Sequence, residues 1–468
     1  MTTPQKILSL CREQDVKVVD VRFVDFPGKW QSFTIPVTRL DEEAFESGLG
    51  FDGTGFRGWR AFSDNDMVAV PQPDTAFLDP CSDVPTLCLI ANIHDPLTGD
   101  DYLLDPRNVA WKAANYLKTT TIADTASFGP QVEFFLFDKV RSKYGLQSAD
   151  HAIDREPGEW DPARRSALVA DPDAALQGTQ DRSTGDPTIE LRNELMRTMF
   201  ACGLLVESQH HAAREQGQVA IELRSQELVP IADAVMRCKH LVKNISGRHG
   251  RNATFMPKPV LGRRGNGMHT QLSLWKDGIP LFAGNGYAGL SDLALHAVGG
   301  ILKHAASITA FTNPTTNSYR RLVPEFEAPV ELTYSRGHRS SACRIPVYRH
   351  NPQDQPIEFR CPDPSCNPYL AFSALLMAAI DGVQNKISPG DPVAEAPLSS
   401  TDRPTVPSPP ISLAAALNAL QDDHDFLLRG DVFTPEILHA WTRMKREDEV
   451  EALRRRPHPY EFSLYFDA

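Results

Sequence analysis

The chain lacks most of what marks the common protein classes. Its eight cysteines, at 11, 81, 88, 202, 238, 343, 361 and 366, contain no CxxC pair. That argues against a disulfide framework and for reduced thiols in a cytoplasmic protein. No apolar run reaches the roughly 20 residues that a bilayer span needs; the longest, Tyr369–Ile380, has the length of a buried core helix. Positive charge is in deficit, 48 Lys and Arg against 60 Asp and Glu, for a net charge of −12. Such a balance excludes nucleic acid or an anionic membrane as the main partner. The opening MTTPQKILSL has no basic-then-apolar signal region. GxxxxGK[ST], GxGxxG and HExxH are all missing, so the usual phosphate-loop, dinucleotide and zinc-protease readings fall away.

What is present fills two domains. With 468 residues the chain can bury a substantial core. Residues 17–36 alternate apolar and polar on both sides of Pro27-Gly28-Lys29, which predicts a β-hairpin. A glycine-rich loop (48–59) and another strand (Thr86–Ile93) follow, and Asp95-Pro96 and Asp105-Pro106 bracket a turn. A small, largely β domain is therefore expected over 1–105, with an α+β domain over 106–468. Helices are expected at Arg107–Leu117, Pro187–Cys202, Ala232–Arg248 and from Ser291 to about Phe311, with a strand at Val132–Phe137. The charged stretch 140–185 reads as a surface excursion, and 388–411 as an irregular proline-rich connection. Thr434-Pro435-Glu436 opens a charged helix to about Arg456, with threonine as cap and proline at the first helical position.

The segment 313–344 gathers Arg320, Arg321, Arg336, Arg339 and Arg344 among prolines and turn formers. In an acidic chain, a proline-stiffened arginine cluster points to an anion site, because a guanidinium fork grips carboxylate or phosphate through two donors. Four short segments carry polar groups at period two, the spacing of one strand face. They offer Gln131 and Glu133; Gln218, Ala220, Glu222 and Arg224; His269, Gln271 and Ser273; Glu358 and Arg360. Carboxylates that hold a hard cation, with arginines to take up developing charge, suit metal-assisted phosphoryl transfer. Each residue alone is a weak signal, and His210-His211 reads equally well as structural.

Several stretches then carry a resemblance: FDGTGFRGW (51–59), GPQVEFFLFD (129–138), NATFMPKP (252–259), GNGMHTQLSLW (265–275), NPTTNSYRRLVPEFEAPV (313–330), RSSACRIP (339–346) and PIEFRCPDPSCNPYLAFSALLMAAIDG (356–382). In these the chain resembles the bacterial type I glutamine synthetases almost end to end. The resemblance implies an α+β fold, a small N-terminal β-grasp domain followed by a large catalytic domain. It also implies a homo-oligomer of two stacked six-membered rings with shared active sites, and PHPYEFSLYFDA (457–468) resembles the family's C-terminal strap. The implied reaction phosphorylates the side-chain carboxylate of glutamate with ATP, after which ammonia displaces phosphate; two Mg2+ or Mn2+ ions assist. Position by position, Glu133, His269 and Glu358 match metal ligands, with Gln131 at a further ligand position. Arg321, Arg339, Arg344 and Arg360 match arginines that grip substrate carboxylate and phosphates, and Arg264 and Gly265 lie on the substrate side. Glu327 matches an acid that closes over the acyl-phosphate. Asp52 matches one that a neighbouring subunit lends to the ammonium pocket. Glu207, Gln271 and Ser273, with Arg344, fall at nucleotide contacts.

The departures fall on the chemistry. Gln131 replaces a metal carboxylate, while Ala212 and Ala220 stand where two further metal glutamates belong. The first cation site drops from three carboxylates to one unless Glu215 or Glu222 substitutes. Hard cations are held by oxygen count and negative charge, so fewer than two tight sites are expected. Arg264 adds positive charge where an ion is lost. The expected function is an ATP-dependent carboxylate–amine ligase acting on a glutamate-like acid and ammonia or, by preference, another amine. The alternatives are a degenerate scaffold or ligand-binding protein of this fold, and repurposed amide chemistry without ATP.

Overall fold

The computed structural model describes residues 2–56, 66–145, 149–154, 188–211, 217–324, 328–347, 355–393 and 406–468. Strands β1 (Val18–Val24), β2 (Trp30–Pro36), β3 (Leu49–Asp52), β4 (Asp66–Pro71), β5 (Phe77–Leu78) and β6 (Thr86–His94) form the first sheet. Its order is β2-β1-β6-β4-β3, with β5 beside β6. The hairpin expected over 17–36 is β1–β2; β1 then runs parallel to β6. Val19, Val21, Leu87, Leu89 and Ile93 are fully buried on this sheet.

The second sheet opens with β7 (Thr125–Phe137). Strands β8 (Lys139–Tyr144) and β9 (Ala149–Asp154) make a separate hairpin, the described part of the expected excursion. The sheet continues with β10 (Val206–His211), β11 (Gln218–Leu223), β12 (Gln226–Glu227), β13 (Asn252–Thr254), β14 (Met268–Lys276), β15 (Ile279–Pro280), β16 (Glu331–Ser335), β17 (Ser341–Arg344) and β18 (Ile357–Phe359). Its order is β10-β11-β7-β14-β18-β17-β16.

Strand β7 starts seven residues before the expected Val132, and it runs through Pro130. A proline cannot donate to a ladder and is rare in a central strand. On one side Pro130 faces Thr270; on the other it falls where the neighbour changes from β11, ending at Gln131, to β12, starting at Phe128. No neighbour asks for the missing donor there, so the strand is uninterrupted.

Helices cover the apolar back of the sheet. Phe128, Val132, Phe134, Leu272 and Phe359 are buried there, and Phe128 stacks on Phe372 at 5.3 Å between ring centroids. Phe372 belongs to the helix Pro368–Gln384, whose cap Asn367 accepts from Tyr369 N–H and whose first position is proline. The helix Asp292–Thr312 is capped by Ser291, as expected. The two helices meet at Gly300 and Gly382, where a Cβ on either would lie within 2.7 Å of the other's backbone. Only glycine allows that approach.

Other helices run Pro106–Thr119, Ile189–Ala201 and Leu228–Arg248, the last starting four residues earlier than expected. The C-terminal helix Pro435–Lys445 is capped by Thr434 but passes into a π-helical turn, Arg446–Glu451, before Ala452–Arg454. A final helix, Pro459–Tyr465, exposes Tyr460, Phe462, Leu464, Tyr465 and neighbouring Phe466.

Candidate active site

Register decides which polar groups meet. Ala220 of β11 lies opposite Glu133 of β7, and Glu222 opposite Gln131. From the other side, His269 of β14 faces Gln131 and Gln271 faces Gly129. Gln271 also faces Glu358 of β18, which in turn faces Arg344 of β17. The strands predicted from period-two spacing thus lie side by side with one wet face. Arg360 follows β18 directly, and its backbone N–H extends the ladder to Ala342 O at 2.8 Å.

Glu358 sits at the centre and is almost fully buried. Its Oε2 is 3.5 Å from Arg344 Nη1; its Oε1 is 3.4 Å from Arg360 Nε and 3.8 Å from His269 Nδ1. Arg360 Nη1 donates to Arg339 O, which brings that loop to the site. Arg360 Nε is buried and lacks the alignment of a hydrogen bond, so one strong donor remains unspent in the pocket. Arg321 is anchored from behind, donating to Cys361 O at 2.7 Å and Arg360 O at 3.0 Å. Gly265 and Gly267 make room for it: a Cβ on Gly265 would lie 2.9 Å from Arg321 Cγ, and one on Gly267 2.7 Å from its Nη2.

This concentration of guanidinium sets the protonation states. Burial, then the charges of Arg360, Arg321, Arg344 and Arg339, hold His269 well below the usual imidazole range. It is a neutral ring at neutral pH. Burial draws Arg360 down to about 10, against the pull of Glu358 and with the repulsion of Arg344, Arg321 and Arg339. Glu133 is pushed up by burial, opposed by Gly267 N–H and by Arg321, Arg264 and Arg360. The Gly267 N–H donates to Glu133 Oε2 at 2.6 Å.

Glu222, a possible replacement for the missing carboxylates, is engaged elsewhere. Its Oε1 accepts from Gln271 Nε2 at 3.3 Å and its Oε2 from Ser208 Oγ at 3.2 Å. Gln271 reaches Glu222 diagonally across β7: Gln271 faces Gly129, which has no side chain, and Glu222 faces Gln131. Ser208 escaped the sequence reading because β10 carries a bulge: the register jumps from Val206 to Ser208. The bulged residue, Glu207, is exposed and lies 3.6 Å from Arg224 Nε. Buried Asn266 was also missed; it accepts from Gln218 and donates to Thr254 O and Met256 O, tying the loop before β14 to the sheet.

Other expected residues stand apart. Asp52 ends β3 and is exposed, its carboxylate bonded to Thr54 within the same turn. Of the five-arginine cluster, Arg320, Arg336 and Arg339 are exposed while Arg321 is buried and Arg344 half-buried; Arg339 meets the site through its carbonyl, which accepts from Arg360 Nη1, and Arg320 and Arg336 stay apart. Their helix and turn point them outward, which residue spacing in a loop cannot reveal. Ser273 is buried beyond Gln271 on β14, its Oγ accepting from Trp275 Nε1 at 2.9 Å. Glu327, Ala212 and Glu215 lie outside the described residues.

The donors test the cation sites that such a face suggests. Among the described residues, Glu133 is faced by Ala220 and neighboured by the Gly267 N–H and the guanidinium groups of Arg321, Arg264 and Arg360; this described set does not fit a hard cation. Around Glu358 a carboxylate, a neutral imidazole and the Gln131 amide offer three donor groups with one negative charge. They fit one cation, in competition with Arg344 and Arg360.

A sheet face with these groups belongs to enzymes that handle carboxylate or phosphate groups. Two family models match the chain: the glutamine synthetase β-grasp domain over residues 15–96 and the glutamine synthetase catalytic domain over residues 103–465. A glutamine synthetase of Frankia alni is 46% identical over 477 residues, covering 100% of this chain and 99% of the relative. One from Aquifex aeolicus is 46% identical over 467 residues, covering 99% of each chain. Among solved structures, Plasmodium falciparum glutamine synthetase matches with a TM-score of 0.87 and 25% identity over 99% of each chain. GmaS without ligand matches with a TM-score of 0.79 and 26% identity over 100% of each chain. The chain belongs to the glutamine synthetase family, carbon–nitrogen ligases that use ATP and divalent metal ions. No helix among the described residues is long and apolar enough to cross a membrane.

Proposed function

We propose that this chain is a diverged ATP-dependent carboxylate–amine ligase that joins a glutamate-like acid to an amine other than ammonia. The observation that carries the reading is the guanidinium set of Arg321, Arg344 and Arg360 retained around Glu358, while Ala220 faces Glu133. In the balanced reaction the acid's carboxylate takes the γ-phosphoryl group and releases ADP. The amine nitrogen then attacks the acyl carbon, phosphate leaves, and the amine gives up a proton. This chain's residues hold the anions. Arg321, Arg339 and Arg360 grip the acid and phosphoryl oxygens, Arg264 and Gly265 line the acid's end, and Arg344 faces the nucleotide with Gln271, Ser273 and Glu207. Glu327 closes over the acyl-phosphate. Glu358, His269 and Gln131 would hold a single Mg2+ or Mn2+, which would supply charge neutralisation there.

The same proposal takes the domains as 1–105 and 106–468 and the protein as a cytoplasmic homo-oligomer of double-ring form. The exposed helix Pro459–Tyr465 and the outward-facing Asp52 support that assembly, with Asp52 serving a neighbouring subunit's site.

The test is ADP release from protein, ATP, Mg2+ or Mn2+ and glutamate against a panel of amines. Turnover that depends on an amine, and is faster with an organic amine than with ammonia, is the expected result. Absence of both turnover and nucleotide binding assigns the chain to a second reading, a scaffold of this fold, which Ala220 and the arginine contacts of Glu358 favour. Amide chemistry without ADP release overturns the ATP-dependent step.

A further inference from the structure

A second group of ligand-type side chains lies away from the wet sheet face, where the first sheet meets the helix Leu228–Arg248. Asp79 and Cys81 sit on the turn between β5 and β6; His240 comes from the helix. One donor atom from each lies within 4.8 Å of the other two. Asp79, Cys81 and His240 are all half-buried, so the group has an open side.

We propose that Asp79, Cys81 and His240 bind a borderline-soft divalent cation of the Zn2+ class, with water at the fourth position. One thiolate, one imidazole and one carboxylate form a donor set suited to such an ion and poorly suited to Mg2+. Bond lengths of about 2.0–2.3 Å in a tetrahedron put ligand atoms roughly 3.5 Å apart, which small side-chain rotations achieve from the observed spacing. The turn holds two ligands ready: Cys81 N–H donates to Asp79 Oδ1 at 2.9 Å, and Asp79 N–H to Thr86 O at 2.9 Å. Asn244 packs beside the ring, its Nδ2 donating to His240 O at 2.8 Å and lying 3.3 Å from Nδ1.

The simpler account is a His240–Asp79 ion pair, 3.2 Å apart, with the cysteine as bystander. Two observations favour an ion. Asp79 also belongs to a second, overlapping group with Asp20 and Cys88. There the buried acceptor Asp20 Oδ1 has no hydrogen-bond partner among the described residues, nor has the donor Arg22 Nη1; of the two, the carboxylate oxygen is the atom a cation can satisfy. Charge balance also permits the exchange. Arg22, bonded to Asp20 and Asp79 at 2.6 Å each, neutralises one of the two carboxylates. A divalent ion held by a Cys81 thiolate and a neutral imidazole carries one net positive charge, which matches the other. Binding releases the proton of the Cys81 thiol. The ion joins the first sheet to the helix of the larger unit.

The probe is Co2+, titrated into the full chain under a phosphine reductant. One thiolate-to-cobalt charge-transfer band per chain is expected, together with tetrahedral d–d bands, all displaced by Zn2+. Cys81→Ser removes the charge-transfer band, and His240→Gln weakens Co2+ binding by roughly 10-fold or more. The wet sheet face offers only oxygen and nitrogen donors and cannot produce that band. A wild-type chain with no band at saturating Co2+ overturns the assignment. So does a Cys81→Ser chain, folded by circular dichroism, that keeps the band.

Discussion

Ala220 and Glu133 are directly opposed partners on adjacent antiparallel strands. Opposed residues hold their Cβ atoms about 4.5–5.5 Å apart, close enough for two carboxylates to share one cation. Here one of the two is a methyl group. The neighbouring carboxylate, Glu222, is a step further along the same face and is already bonded to Ser208 and Gln271.

Restoring charge at this pair should restore ion binding. Gln131→Glu with Ala220→Glu is expected to tighten Mn2+ binding by roughly 10-fold or more, measured by calorimetry. If the doubly substituted chain binds Mn2+ no better than the parent, the assignment of this face as a former cation cage is wrong.

Gly267 should be intolerant of a methyl group. Its Cβ would lie 2.7 Å from Arg321 Nη2 and 2.9 Å from His269 Nε2, both held by neighbours. Gly267→Ala is expected to cost about 1–3 kcal/mol in urea denaturation and to weaken nucleotide binding. Full stability together with unchanged affinity would show that Arg321 and His269 are not fixed as described.

Asp105 gives a pH dependence of stability. It caps the helix Pro106–Thr119, accepts from Ile93 and Arg107 N–H groups, and is pushed up to about 6 by burial, against those bonds and the Arg107 charge. A carboxyl raised in the folded state favours folding below its unfolded value, near 3.9. That contribution is lost as pH rises through about 6. Relative to Asp105→Asn, the wild type should therefore lose on the order of 2 kcal/mol between pH 4 and pH 7. A difference that stays flat in paired chemical denaturations over this range rules the effect out.

Removing residues 457–468 deletes the helix that exposes Phe462, Leu464, Tyr465 and Phe466. Little of the chain's own core depends on them. The shortened protein should fold with an unchanged melting transition but lose its largest assembly in light scattering. Assembly that survives the deletion places the contacts elsewhere.

Part of the wet face is legible because strand geometry is periodic: spacing puts Gln131 with Glu133, His269 with Gln271, and Glu358 with Arg360, each pair on one face of its own strand. Pairing between distant strands is not written in local pattern, and three features hid the rest. A bulge exchanged Ser208 for Glu207 opposite Glu222. A change of neighbour let Pro130 sit inside β7. Arginines in an irregular segment carry no period, so nothing separated Arg321, which turns inward, from Arg320, which turns out. Asn266 gave no signal, since its role is to satisfy backbone carbonyls that only the folded loop brings together.

The tip of the β1–β2 hairpin is keyed into the far end of the chain. Gly28, at φ +99°, passes so near Asn367 that a Cβ would lie 2.8 Å from the asparagine Cα. Asn367 Nδ2 donates to Phe26 O at 3.2 Å, and Phe26 meets Trp441 edge-on at 5.3 Å. Residues more than three hundred positions apart in the sequence thus act as one joint. A chimaera that borrows its first hundred residues from a relative must import matching partners at 367 and 441, or the graft will open at that seam.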